Sequence, residues 1–260
     1  MKWQSWWPWL PPSRGDILTI LFGIVLVLVV GVFFVVGPRY GKNSQGNHGR
    51  DRIMAFSGWP EEALDFYDGL AADNSKSYWT EHKAIYEDKI LRPMTELTEE
   101  LAAEFGEPKI FRPYRDVRFS ADKTPYKTHI GATVGHTGYI QLSAEGLGAG
   151  AGMWQMEPDH LARYREAVAD DSPGTKLEQI IAEMEQADVT VHGHGALKSA
   201  PRGYPADHPR IALLRYKGLT AWKQWPVEPW LETAAAKDRV ISFFRTTLPL
   251  CSWLNDHVGR

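Results

Sequence analysis

Twenty consecutive residues, Ile17–Val36, are interrupted only by Thr19, Gly23 and Gly31 in a run of Leu, Ile, Val and Phe. As a helix that length spans a hydrocarbon core of about 30 Å. Its 17 strongly apolar residues favour insertion by roughly 5–10 kcal/mol on a translocon-type scale. The run therefore predicts a transmembrane helix with a lipid bilayer as its partner, and it divides the chain. Residues 1–16 form a Trp/Pro-rich tail with Trp3, Trp6, Trp7 and Trp9, suited to the headgroup level. No small-x-small cleavage site follows Val36, so the pattern is that of an anchor rather than a cleaved signal. A plainer reading takes Met54 as the start of translation. Lys2 and Arg14 precede the run, and Arg39, Lys42, Arg50 and Arg52 follow it. The excess of four over two predicts that whatever follows lies in the cytoplasm. Residues 37–55 read as a flexible linker with a root-mean-square reach of roughly 25 Å.

Residues 56–260 remain for one folded domain. The chain carries 29 basic and 32 acidic side chains; six and two of these fall in residues 1–53, which leaves the remainder at −7. So acidic a domain is not a general nucleic-acid binder. A single cysteine excludes an intramolecular disulfide. Cys251, within LPLCSWL, reads as a core residue, since a reactive thiol needs an electropositive, exposed setting.

Helices are predicted from Pro60-Glu61-Glu62 up to a break at Asp73-Asn74-Ser75, and again over Ser77–Phe105, where Pro93 should kink or divide the run. Strands are predicted over Ile130–Val134 and Tyr139–Ser143, joined as a hairpin, with Leu147–Met153 as a third. Helices should begin at Pro158 and Pro173, and a short strand is read over Asp188–Val191. A short helix is read over Arg210–Tyr216, and a mostly helical tail over Pro229–Val258. The expected class is α+β, an antiparallel sheet packed against helices behind the membrane segment.

Functional residues are densest in Tyr114–Gly131, YRDVRFSADKTPYKTHIG. Read as a strand, Lys109–Phe119 puts Phe111, Arg115, Val117 and Phe119 on one side and Arg112, Tyr114, Asp116 and Arg118 on the other. Arg115, among apolar residues, should be partly buried and need a carboxylate. The turn Asp122-Lys123-Thr124-Pro125 should return Lys123 and Lys127 toward the arginines. From Lys109 to Lys127 six basic residues face two acidic ones. Two readings follow. In the first, Arg115, Arg118, Lys123, Lys127, Arg163, Lys198, Arg202 and Lys217 converge from separate segments on an anionic small molecule or modified polymer. Asp116, Asp122 and His129 are then the candidates for proton transfer. In the second, the same charges form an internal network on a non-enzymatic scaffold that presents a docking surface. His192-Gly-His194, with Asp207 and His208, is too sparse a set to predict a metal, and no cofactor motif is present. No Gly-x-Ser-x-Gly motif or P-loop stands out.

The motif RDVRFSADKTPYKTH at 115–129 resembles the signature of the domain of unknown function 2461 family. Asn74, Trp79, His82-Lys83, Tyr86 and Pro93 resemble its N-terminal region, and Lys198–Pro209 with Leu213-Leu214 and Lys217 its C-terminal signature. The likeness covers about Phe56 to Leu254; the membrane run lies outside it. Asp73-Asn74 stands where the family usually has two asparagines. The resemblance implies an α+β domain and brings no established activity with it.

Overall fold

The computed structural model describes residues 55–259. The predicted transmembrane run Ile17–Val36, the tail before it and nearly all of the linker lie outside them. Among the described residues no helix is long and apolar enough to cross a membrane.

The first helix, α1 (Glu61–Ala72), starts after Pro60 with Glu61 and Glu62 in its first turn, where carboxylates complement the helix dipole. It buries Ala63, Leu64, Phe66, Tyr67 and Leu70. Ser75 caps α2 (Lys76–Ile85), its side chain accepting the Tyr78 N–H at 3.2 Å. The predicted break at Pro93 takes the form of a π-helical segment, Tyr86–Leu91, before α3 (Arg92–Phe105). Proline supplies no N–H for an i→i−4 bond, and the wider turn absorbs that loss. Met94, Leu97, Thr98 and Leu101 make the buried stripe of α3.

Six strands then form one antiparallel sheet in the order β1-β2-β3-β4-β6-β5. They are β1 (Pro108–Ile110), β2 (His129–Val134), β3 (Gly138–Ser143), β4 (Gly146–Met153), β5 (Thr190–His194) and β6 (Gly218–Trp225). The first three predicted strands are present within a residue or two. β6 corrects the sequence reading, which placed no strand there, although it sits between β4 and β5 and joins the edge to the rest. The strand read over Asp188–Val191 is present as β5 but runs later, Thr190–His194, and the helix read over Arg210–Tyr216 shortens to α6 (Ile211–Leu214). The remaining helices are α4 (Pro158–Ala169), α5 (Asp171–Gln186) and α7 (Ala235–His257), with a 3-10 turn at Pro229–Glu232.

Register assigns the two faces. Residues directly opposite in a ladder point the same way. Ile130, Leu142 and Leu147 form one row, and Ala132, Ile140 and Ala149 another. All are buried, and α3 and α7 pack over them. The other face carries Thr133, Tyr139, Gly150 and Trp222 in one row and Gly131, Gln141 and Gly148 in the next. Its glycines are required by contact. A Cβ at Gly131 would lie 2.6 Å from the Tyr139 hydroxyl, and one at Gly148 would lie 2.5 Å from the Trp222 ring. Both rings thus lie flat on a backbone floor. Cys251 is half-buried near Thr137, and burial pushes its thiol up, as a packing residue requires.

Candidate functional site

The chain leaves β1 at Ile110 and returns to β2 at His129 by a long hairpin. Its arms stay paired beyond the sheet. Phe111 donates to Gly131, Lys127 to Pro113 and Arg115 to Pro125 through their backbones, at 2.9, 2.8 and 2.8 Å. Tyr114 and Tyr126 form an isolated bridge. Of the strand read over Lys109–Phe119 only Lys109 and Ile110 lie in β1, but exposure still alternates along the outgoing arm from Phe111 to Arg118. The N-terminal helices hold this hairpin. The Asn74 amide donates to the Tyr126 carbonyl at 3.1 Å and accepts its N–H at 3.0 Å, standing in for one more strand. Trp79 stacks on the Tyr126 ring at 4.5 Å. Alternation fails at the tip. Phe119, placed by sequence with the apolar side, is 95% exposed.

Within the hairpin the charges pair locally. Arg115 bonds the Asp122 carboxylate and the Thr124 hydroxyl, and so finds the carboxylate partner its position called for. Arg118 grips Asp116 through two bonds of 2.9 and 2.7 Å. Lys123 donates to the Val117 carbonyl at 2.9 Å. The Arg118 side chain holds Asp116 down to about 2, and Arg115, then Thr124, hold Asp122 there too. Both carboxyls are therefore ionised and engaged at neutral pH, a poor starting point for taking a proton.

Lys127 and His129 differ. They follow in alternation on the sheet's second face and are 7% and 8% exposed. The Lys127 ammonium lies 5.4 Å from the centre of the Phe111 ring. Burial, then Arg112, lowers Lys127; burial, then Lys127 and Arg115, holds His129 down at about 4. In both cases the charges acting on the group have its own sign. Desolvation is the larger cause in both, and like charge adds to it.

The structure does not bring all eight predicted cations together. Following the ladders across the sheet, His129 is level with the end of β6 past Trp225, whereas Lys217 precedes the start of that strand. Three strand spacings and nine residues separate them, roughly 30 Å. Lys198 and Arg202 are exposed in the loop before α6, and Lys217 is exposed at its end. Arg163, on α4, donates to the Val258 carbonyl at 2.6 Å, at the other end of the chain.

Sequence reasoning passed over Arg210. Only 6% exposed, it donates to the carbonyls of Val168, Ala169 and Asp170 and pairs with Asp171 at 2.8 Å. It thereby ties the loop before α6 to the junction of α4 and α5. Its one sequence signal was a basic residue beside an apolar run. His192 and His194, two residues apart on β5, share a face. His194 bonds Thr220 at 2.6 Å and lies against Trp154, and burial, then His192, holds it at about 4. Among the described residues no group of three or more His, Cys, Asp or Glu could hold a metal.

A family profile described as conserved hypothetical protein (DUF2461) matches residues 62–253. No curated protein matches the sequence. Among solved structures, a conserved hypothetical protein from Pyrococcus furiosus is similar over 65% of this chain and 98% of its own. The identity is 13% and the TM-score 0.34, too distant to bear on fold or function.

Proposed function

We propose, for a chain that belongs to the DUF2461 family, that its domain binds an anionic small molecule, or the anionic group of a modified polymer, at Lys127 and His129. The observation that carries this reading is the buried pair on the sheet's second face, acted on by the charges of Arg112 and Arg115. An incoming carboxylate or phosphate would relieve repulsion already present in the fold. Lys127 supplies the charge, and the neutral His129 ring a hydrogen bond. Arg115, fixed by Asp122 and Thr124, orients the hairpin arm. The reading ascribes binding to this site and no reaction. The apolar Ile17–Val36 segment would tether the domain to a bilayer, with the domain on the cytoplasmic side.

The test uses inorganic phosphate as the probe and the His129 ring signals in NMR as the readout. A bound anion favours the imidazolium, so the pKa should rise by roughly one unit or more from about 4 as phosphate saturates. Lys127→Met should remove both the binding and the shift. A His129 ring that titrates identically with and without phosphate would sink the proposal.

One observation favours a second reading. The Arg118–Asp116 and Arg115–Asp122 pairs close the hairpin on itself and leave Phe119 exposed at the tip. That arrangement suits a scaffold which docks a protein partner by the tip. Under this reading Phe119→Ser abolishes an interaction and leaves phosphate titration unchanged.

A further inference from the structure

A cleft of about 340 Å³ lies on the opposite face of the sheet from Lys127 and His129, between the first half of α7, the end of β6 and the Ala187 and Val189 segment that leads into β5. Its walls are chemically distinct. Trp225 and Phe243 form an apolar floor, their rings edge to face at 6.1 Å. Ser242 and Thr246 line the α7 side, one helical turn apart. Two cations border it. Lys223 is already satisfied by Asp188 at 2.8 Å. Arg239 is not.

The Arg239 guanidinium lies 4.3 Å from the centre of the Trp230 ring, and its Nε is buried without a hydrogen-bond partner. No carboxylate pairs with Arg239 among the described residues. Arg115, Arg210 and Arg165 have each found an oxygen, on Asp122, Asp171 and the Leu214 carbonyl, whereas Arg215 shares with Arg239 a buried Nε without a partner but does not line this cleft. A guanidinium has five donors, and a buried donor left unmade costs about 1–3 kcal/mol. Trp230 supplies a face for the cation but no acceptor.

We infer that this cleft is a second binding site, for a small monoanionic carboxylate carrying a flat apolar group. Arg239 takes the carboxylate, and the flat group rests on Trp225 and Phe243. The charge is set by the wall itself. Asp238 lines the same cleft beside Arg239 and repels a second negative charge, so a phosphate dianion fits poorly. The Ser242 hydroxyl can serve polar substituents on the ring, and the Thr246 hydroxyl, which donates to the Ser242 carbonyl, can accept from them. This site shares no residue with the Lys127–His129 pair and stands independently of it.

Benzoate is the probe, titrated into the purified full chain by calorimetry and followed by Trp225 and Phe243 signals in NMR. Saturable binding is expected, with inorganic phosphate failing to displace it and Lys127→Met leaving it unchanged. Arg239→Ala should weaken it at least about tenfold, the scale of one charge-assisted pair. Ser242→Trp keeps the guanidinium but fills the cleft from an exposed helix position, and it should abolish binding even if Arg239→Ala fails to fold. The inference is overturned if benzoate does not saturate, if either cleft variant binds within about twofold of the parent, or if phosphate displaces the probe.

Discussion

His129 shows how one side chain can report on its whole surroundings. In the fold its imidazole titrates at about 4, against an ordinary 6.5. Burial and two neighbouring cations favour the neutral ring. The unfolded chain therefore binds the extra proton as pH falls below 6.5, and the folded chain takes it only near 4. Stability from this group is complete above about 6.5 and is lost progressively down to about 4. Two and a half units correspond to roughly 3 kcal/mol. His194, also held at about 4, adds to the loss over the same range. Urea denaturation at pH 7, 5.5 and 4.5 should show the decline, and His129→Gln should flatten it. An unchanged pH profile in that variant would mean that the imidazole is not held neutral. The sequence drew attention to His129 as a possible proton carrier. It could not show the burial, because burial depends on a sheet whose partners lie up to about a hundred residues away. Asn74 was similarly visible as a residue and invisible as a contact: its two bonds to the Tyr126 backbone span 52 positions.

Elements with a strong local signal were legible. Pro60, Ser75, Pro93 and Pro158 mark where helices start or divide, and the 3.6-residue stripe of Met94, Leu97 and Leu101 marks a buried face. β6 was harder. In GLTAWKQW the core row runs Leu219, Ala221, Lys223, Trp225, so a lysine interrupts the apolar alternation just where it would be counted. Lys223 is accommodated because its ammonium reaches Asp188 at the sheet edge. β4 was readable as a strand, and in the fold its glycines permit close approach by a neighbour. The neighbour is Trp222, supplied by the strand that was missed. This gives a prediction for the pair. Alanine is ordinarily the better strand residue, but at Gly148 its Cβ would meet the indole at 2.5 Å and the Gln224 side chain at 2.8 Å. Gly148→Ala should therefore destabilise by about 1–3 kcal/mol and shift the Trp222 fluorescence. A thermal melt in which Gly148→Ala is as stable as the parent would show that the ring is free to move aside.

At the scale of the whole molecule, charge and anchoring have to be considered together. Local composition pointed to eight cations gathered in one hollow. Sheet register, a property of long-range pairing, separates the 115–129 hairpin from the 198–217 loop and leaves a smaller group around Lys127. The acidic balance of −7 over residues 54–260 makes a dispersed attraction for polyanions untenable, so any anion must be held by such local groups. The membrane segment follows a different logic, since twenty apolar residues need no tertiary partner to be recognised. If Ile17–Val36 spans a bilayer, the full chain stays with the membrane fraction through carbonate extraction, and deleting residues 17–36 moves it to the supernatant. Protease added to intact spheroplasts should spare the domain, because Arg39, Lys42, Arg50 and Arg52 keep the following segment inside. Reversing those four to glutamate should weaken that protection while leaving carbonate resistance intact, since insertion draws on apolar area and orientation on flanking charge. A full chain extracted by carbonate would remove the tether from the proposal and leave the Lys127–His129 site to be judged by phosphate titration alone.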